Sequence, residues 1–367
     1  MKVLYFTRDY TPHDYRFLKA ICENGDDVWY LRLETRNVYE SRPLPEAVHV
    51  VNWKYGKVPF DLNSEEESAV RALRDVFEEL KPDVVHSGPL TDCSYLAAKA
   101  GLHPHTAMSW GFDLGREIDT IPGAKERTIY ALSQADWFLG DCYVELDKAV
   151  ELGYSREKAT IFPWGIDIER FSPKSGTLRD AISNHGDFLI LSLRTMEPNY
   201  DVETVVRAFL DAVKTEPEMR LILLGDGSQM PILKSITEQD ENGSKISFLG
   251  RQPNDMLVEY YRSCDLYVSA SIVDGSSVSL LEAMGCGIPV LMSSIPGNME
   301  WVENGKNGIL FRTKNVSELS EKMIECCRNQ NTLKNYASTA RKLIEEKADW
   351  NKNKSGIHYA YRKACKL

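Results

Sequence analysis

The stretch Asp265–Ser294, "DLYVSASIVDGSSVSLLEAMGCGIPVLMSS", reads as strand, loop, helix and strand. "DLYVSAS" and "IPVLMSS" are short apolar runs of the kind buried parallel strands use. Between them Ser276 and Ser277 suit a helix N-cap, and Val278, Leu281 and Met284 recur at the spacing of one helix face. Two parallel strands joined by a helix form the repeating unit of a doubly wound α/β sheet.

The same alternation extends outward on both sides. Downstream of "GIDIERFSPKSG" the strands are "DFLILSLR", "MRLILLG", "KISFLG", "DLYVSAS", "IPVLMSS" and "NGILFR", with helices at about 202–214, 229–242, 255–263 and 278–286. A further helix opens at the Asn315-to-Glu318 capping pattern. Upstream lie "KVLYF", "DVWYLRL", "DVVHSG", "HTAMSW", "DWFLGD" and "KATIFPW", separated by helical segments such as "YRFLKAICENG" and "EEESAVRALRDVFEEL". In the latter, Val70, Leu73, Val76, Phe77 and Leu80 share a face. The pattern predicts two Rossmann-like domains facing across a cleft, 1–168 and 169–345, with Pro173 and Gly176 marking the joint. A helical tail, 346–367, either packs back on the first domain or finishes the second.

Composition narrows the function. Of 367 residues, 43% are hydrophobic and 27% charged, which describes a folded chain with a sizeable core. The net charge of −10 is uneven: residues 1–167 hold 19 Lys and Arg against 28 acids, and the remainder holds 25 against 26. An acidic first half argues against a nucleic-acid backbone as partner, because such binding needs clustered positive charge. The eight cysteines form no CxxC pair, which fits scattered thiols in a reducing compartment. "MKVLYFTRDY" carries too short an apolar run for a signal peptide, and no run approaches a spanning helix. A cytoplasmic protein is expected.

Asp274 follows "DLYVSAS", so it lies in a loop at a strand's carboxyl end, where open α/β sheets place ligands. The helix start beyond it offers unpaired backbone N–H groups and the positive end of a dipole, a combination that holds phosphate, and Gly275 lets the backbone come close. Glu282 falls near the second helical turn. Carboxylates before and after an anion site fit a ligand with an anionic middle and hydroxylated ends. A nucleotide sugar has that layout, with Asp274 accepting from sugar hydroxyls and Glu282 from ribose hydroxyls. Solvated surface roles for both acids remain the ordinary alternative.

At these residues the chain resembles a known family. "DGSSVSLLEAMGCGIPV" is similar to the E-x7-E signature of retaining glycosyltransferase family 4, which has the GT-B fold. Asp274 stands at its first acidic place and Glu282 at its second. "PWGIDIERFSP" looks like the family's domain-joining segment, "LSLRTMEPNYDVETVVRAF" like its donor-phosphate segment and "LILLGDGSQMPILK" like its G-x-G strand-loop. "GNMEWVENGKNGILF" resembles the segment after the E-x7-E helix.

The resemblance implies a hexosyltransferase that moves a sugar from a nucleotide diphosphate donor, UDP being the commonest, to a glycan, lipid-linked or small-molecule acceptor with retention. Polysaccharide biosynthesis is the usual setting, without metal or other cofactor. The leaving diphosphate takes the acceptor proton, and Arg194, the amides at Ser277 and Val278 and that of Gly225 stabilise its charge. Gly275 and Ser276 complete the donor loop. The family's Lys place falls on Asn199 or Tyr200; losing a cation there forfeits about 1.5–3 kcal/mol, so either another base such as Arg251 compensates or the donor is unusual. Asp274 is also one methylene shorter than the family's Glu.

On the acceptor side, "TRDYTPHDYRF" replaces the Gly-rich loop of many relatives, leaving His13, Tyr15 and Arg16 as candidate contacts. "SWGFDLG" matches a His-Gly-x-Asp place, with Trp110 for the His and Asp113 for the acid that contacts the reacting sugars. Trp110 offers a stacking face or a core ring, but no proton. His86 reads as a satisfied strand-end histidine. Arg32, Arg36, Arg42, Lys54 and Lys57 with Tyr39, Trp53 and Tyr55 form either a membrane-facing edge, at the inner face if the acceptor is a lipid, or a solvated loop. A nucleotide-sugar epimerase, a phosphorylase and a non-catalytic sugar-nucleotide-binding module are the competing readings.

Overall fold

The computed structural model describes residues 1–33, 40, 42–56, 60–183 and 186–367. Arg36, Tyr39 and Lys57 of the basic and aromatic stretch lie outside the described residues. The chain divides into two compact units, one of Met1–Phe162 with Lys352–Leu367 and one of Pro163–Asn351. Each is a Rossmann-like α/β unit around an all-parallel sheet.

The first sheet has seven strands: β1 (Lys2–Thr7), β2 (Asp27–Arg32), β3 (Val48–Val50), β4 (Val84–Gly88), β5 (His105–Met108), β6 (Trp137–Gly140) and β7 (Ala159–Ile161). Their order is β3-β2-β1-β4-β5-β6-β7. The chain winds outward from β1 to β3, then returns to β1's other side, so the winding reverses between β1 and β4. Val3, Leu4, Tyr5 and Phe6 are fully buried, because helices cover both sheet faces and successive side chains have no solvent side to point to. The strand β3 was not expected from the sequence. Its three residues alternate too briefly to give a periodic signal, and two of them are exposed.

The helix Pro12–Glu23 starts earlier than the apolar spacing implies. Thr11 accepts from the Asp14 amide at 3.3 Å, Asp14 accepts from the Thr11 amide at 2.8 Å, and proline occupies the first turn. That capping box draws His13, Tyr15 and Arg16 onto a helix. Along Leu62–Leu80, Val70 and Leu73 are buried, while Val76, Phe77 and Leu80 pack at the rim of the same core.

The helix Ser355–Ala364 belongs to this first unit and packs on β5, β6 and β7. Ile357, Ala360, Tyr361 and Ala364 are buried at helical spacing, and each large side chain contributes about 1.5–3 kcal/mol by leaving water. Tyr361 Oη lies 2.6 Å from His86 Nδ1, His358 pairs with Asp26, and Lys354 Nζ reaches Glu23 at 2.8 Å.

The second sheet holds β8 (Phe188–Leu193), β9 (Met219–Leu224), β10 (Ile246–Gly250), β11 (Leu266–Ser269), β12 (Val290–Ser293) and β13 (Ile309–Phe311). The order β10-β9-β8-β11-β12-β13 puts its reversal between β8 and β11. Along β8, Phe188 and Ile190 enter one core with Val206 and Phe209, while Leu189 and Leu191 enter another with Leu281 and Met284. Period-two alternation with both faces buried is what makes the strand read as an unbroken apolar run. No helix among the described residues is long and apolar enough to cross a membrane.

Candidate functional site

In the second unit, the loops that leave β8 and β11 emerge side by side at the winding reversal, the place where open parallel sheets form a crevice. They are stitched together by the Ile272 amide, which donates to the Asn199 carbonyl at 2.9 Å. The helix Val278–Gly285 begins directly after the second loop. Ser277 is its N-cap, with extended backbone and a hydroxyl that accepts from the Leu280 amide at 3.4 Å. The helix's own ladder begins at the Leu281 amide, so the earlier N–H groups project from its positive end.

Arg194, the first residue after β8, reaches across to this cap. Its Nε donates to Ser269 Oγ at 3.1 Å, and its Nη2 donates to both Asp274 Oδ2 and Ser277 Oγ. The Tyr200 ring lies under the guanidinium, 5.0 Å from ring centre to Cζ. The Arg194 and Asp274 side chains are 10% and 19% exposed, so the pair is largely withdrawn from water. Burial works against the guanidinium's charge, but the Asp274 carboxylate outweighs it and lifts the Arg194 pKa above its ordinary value. Asp274 therefore faces a cation rather than open solvent.

The loop carrying Asp274 is held from behind. A Cβ on Gly297 would lie 2.4 Å from the Asp274 carbonyl oxygen and 2.5 Å from that of Gly275, so the two backbones meet where no side chain fits. Trp301 Nε1 donates to Ser276 Oγ at 3.1 Å. Beneath the cap runs a ladder of buried hydroxyls. Tyr267 Oη donates to Ser279 Oγ at 2.8 Å, Ser279 and Ser277 lie 3.2 Å apart, Ser269 and Ser271 lie 3.1 Å apart, and Ser293 Oγ donates to the Ser271 carbonyl at 2.6 Å. Of these only Ser276 and Ser277 were expected; the others answer hydrogen-bond needs created when sequence-distant loops pack.

The structure thus gathers Arg194, Tyr200, Asp274, Gly275, Ser276, Ser277 and Val278 around one helix start. Glu282 lies a turn further on, 8% exposed, and accepts from Tyr261 Oη at 3.0 Å. Gly225 departs from its expected part. Its N–H donates to the Gly250 carbonyl at 2.9 Å, and at φ +126° it lets β9's exit loop press on the Arg194 carbonyl, where a Cβ would come within 2.1 Å. Its amide serves the sheet edge, and its missing side chain serves the Arg194 loop. Arg251 is exposed beyond β10, with β9 between that strand and β8.

In the first unit, Asp113, expected to contact the reacting sugars, is instead fully buried. It accepts from the Leu90 amide at 2.8 Å, Ser109 Oγ at 2.7 Å and the Trp110 amide at 3.1 Å, tying the loop after β5 to the loop after β4. Burial raises its pKa to about 6, against those donors. Trp110 packs on His13 and Phe17, ring centres 5.8 and 6.0 Å apart. Burial and then the Arg16 charge push His13 down to about 3, and the Tyr15 ring carries the Arg42 guanidinium at 3.9 Å. His86, fully buried between Tyr361 and Met108, is pushed by burial and by His105 to about 3.

Two groupings in this unit were not anticipated. Arg8, at the β1–β4 reversal, donates to Asp92 at 2.5 Å, to Glu117 at 2.7 and 2.9 Å and to Thr91 at 3.1 Å. Beyond β6, Asp141, Cys142 and Glu145 are buried with their ligand-capable atoms within 4.8 Å of one another. Burial and the neighbouring Asp141 charge hold the Glu145 pKa well above its usual value, which favours a proton within that pair.

Residues 177–343 match the family model described as "Glycosyl transferases group 1". The chain is 28% identical over 201 residues to the alpha-monoglucosyldiacylglycerol synthase of Acholeplasma laidlawii, covering 53% of this chain and 50% of that one. It therefore spans about half the length of that relative. It is 21% identical over 335 residues to the GDP-mannose-dependent monoacylated alpha-(1-6)-phosphatidylinositol monomannoside mannosyltransferase of Corynebacterium glutamicum, covering 86% and 84%. Among solved structures, Anabaena HepE in complex with UDP superposes with a TM-score of 0.79 at 17% identity, covering 98% of this chain and 99% of that one.

Proposed function

We propose that this chain is a glycosyltransferase that takes a sugar from a nucleoside diphosphate donor and passes it to a hydroxyl acceptor. The observation that carries the reading is the Arg194–Asp274–Ser277 cluster at the amino end of Val278–Gly285. It lies at the sheet's winding reversal and inside the segment matched by the family model. A fixed guanidinium beside a helix N-terminus is the arrangement a diphosphate needs, and the adjoining carboxylate suits the sugar's hydroxyls. The UDP held by HepE and the nucleotide sugar in the name of the mannosyltransferase support the same donor class.

We read the transfer as retaining. The bond between the anomeric carbon and the donor phosphate oxygen breaks, the acceptor oxygen bonds to that carbon on the same face, and its proton passes to the departing phosphate oxygen. Stabilising the departing charge falls to Arg194 and the helix amides, and no step is assigned to a metal. Glu282 is assigned to the ribose. On the first unit, Asp113 is a positioning residue for the acceptor loops, and Trp110 with His13, Tyr15 and Arg16 borders the acceptor. The names of the two relatives favour a lipid-linked acceptor. For such an acceptor we place the reaction at the inner face of a membrane.

Thermal-shift screening against nucleotide sugars tests the donor claim, because a ligand that binds only the folded state raises the midpoint by mass action. At least one should do so; a flat panel rejects the reading. Incubation with the donor alone should leave its sugar unchanged, whereas an epimerised sugar would assign the site to a different enzyme. EDTA should leave turnover intact.

A further inference from the structure

The Arg194 guanidinium, assigned above to the donor's diphosphate, is already satisfied by a carboxylate of its own loop system. Three of its contacts are Asp274 Oδ2, Ser277 Oγ and Ser269 Oγ, and its face rests on Tyr200. The resemblance placed a second cation near 199 or 200, but those residues are Asn and Tyr. Arg251, the nearest base in expectation, lies beyond an outer strand. Arg194 thus pairs its guanidinium with the Asp274 carboxylate.

Resting on the donor reading, we propose that Asp274 is an exchangeable counter-ion of Arg194, and that this exchange makes the site select the intact sugar nucleotide over the free nucleoside diphosphate. A diphosphate that reaches the helix start must share Arg194 with Asp274 or displace it. Displaced, a carboxylate 19% exposed would stand beside phosphate charge with its cation taken. A donor's sugar resolves this by offering hydroxyls to the freed carboxylate. The free diphosphate has no sugar and leaves the carboxylate without a replacement partner. The side chain that grips the sugar therefore also expels the product once the sugar has left. Its short reach matters, since Asp274 closes on Arg194 while Arg194 stays on the cap hydroxyl of Ser277.

The test is Asp274→Asn, which keeps size and removes charge, with Asp274→Ser as the second variant should Asn fold poorly. Titration calorimetry would use UDP and GDP as free diphosphates, and UDP-glucose and GDP-mannose as intact donors. For whichever nucleotide wild type binds, it should favour the intact donor. The variant should bind the free diphosphate about tenfold tighter, and the ratio of the two affinities should fall towards one. Without ligand the variant should melt lower, since Arg194 loses its counter-ion, and UDP or GDP should raise its midpoint further than that of wild type. A purely structural Asp274 predicts the lower melting point with unchanged or weaker diphosphate binding, and that result overturns the exchange while leaving the donor reading in place. If wild type binds neither these four nor any other sugar nucleotide of the thermal-shift panel, the donor reading fails and the exchange fails with it.

Discussion

Replacing Gly297 by alanine isolates the contact that sets where Asp274 stands. Gly297 lies in the short helix Pro296–Met299, so alanine suits its backbone and would ordinarily help it. Only space is lacking. The added Cβ would sit 2.4 and 2.5 Å from the carbonyl oxygens of Asp274 and Gly275, about 1 Å inside ordinary contact, and both obstacles are backbone. The loop must retreat by roughly that amount or the helix must lift, at an overpacking cost of about 1–3 kcal/mol. A shift near 1 Å at a reacting centre costs about 100-fold in rate. Gly297→Ala should therefore lower the urea midpoint and reduce kcat/KM by one to two orders of magnitude. Gly153→Ala is the control. It lies in the other unit, at φ +98° with open space around it, and should cost about 1 kcal/mol of strain without touching kinetics. If Gly297→Ala keeps wild-type stability and kcat/KM, the close backbone approach does not position the site.

Three other outcomes follow from the same geometry. Trp301→Phe removes the indole N–H that Ser276 Oγ accepts and puts a smaller ring in its place, so the Asp274 loop loses one tie and some packing; a stability loss of about 1–3 kcal/mol in urea, with weaker donor binding, is expected, and no change would mean that this contact is dispensable. Arg8→Met leaves Asp92 and Glu117 together without their guanidinium and should cost about 3–5 kcal/mol, seen as early unfolding of the first unit by circular dichroism. His86 titrates at about 3 when folded against 6.5 when unfolded, so its stabilising contribution is complete above pH 6.5 and declines as pH falls towards 3. The stability gap between wild type and His86→Gln should accordingly narrow by about 1.5 kcal/mol from pH 6.5 to pH 5 in urea titrations. A constant gap would mean that burial leaves the ring's pKa at its unfolded value.

Most of the fold is legible in the sequence because parallel strands buried on both faces must be apolar throughout, as in "FLILSL" and "KVLYFT". Caps mark helix starts just as plainly: Asn315 accepts from the Glu318 amide at 3.1 Å, where the spacing placed it. The edge strand Val48–Val50 escapes because three half-exposed residues carry no period. At the site, Asp274, Ser277 and Glu282 stand out because a loop and the helix after it keep their spacing along the chain. Gly297, Trp301 and Ser269 do not, since their importance is fixed by which loops meet after folding. The Arg8 cluster joins residues up to 109 apart, a relation no local pattern encodes. Tyr361, whose hydroxyl meets His86, lies in the helical tail whose docking place the sequence leaves open.

The first unit is discontinuous, and this orders its birth on the ribosome. By the time Phe162 has been made, all seven strands of its sheet exist, but the helix that covers β5 to β7 lies about 190 residues ahead. At roughly 5–20 residues per second the sheet waits about 10–40 s with the seat of Ile357 and Tyr361 bare. During that interval the second unit, continuous from Pro163 to Asn351, is free to fold first. The earlier half of the message thus encodes the part that is finished last, and a chain that stalls between the two should be a client for chaperones.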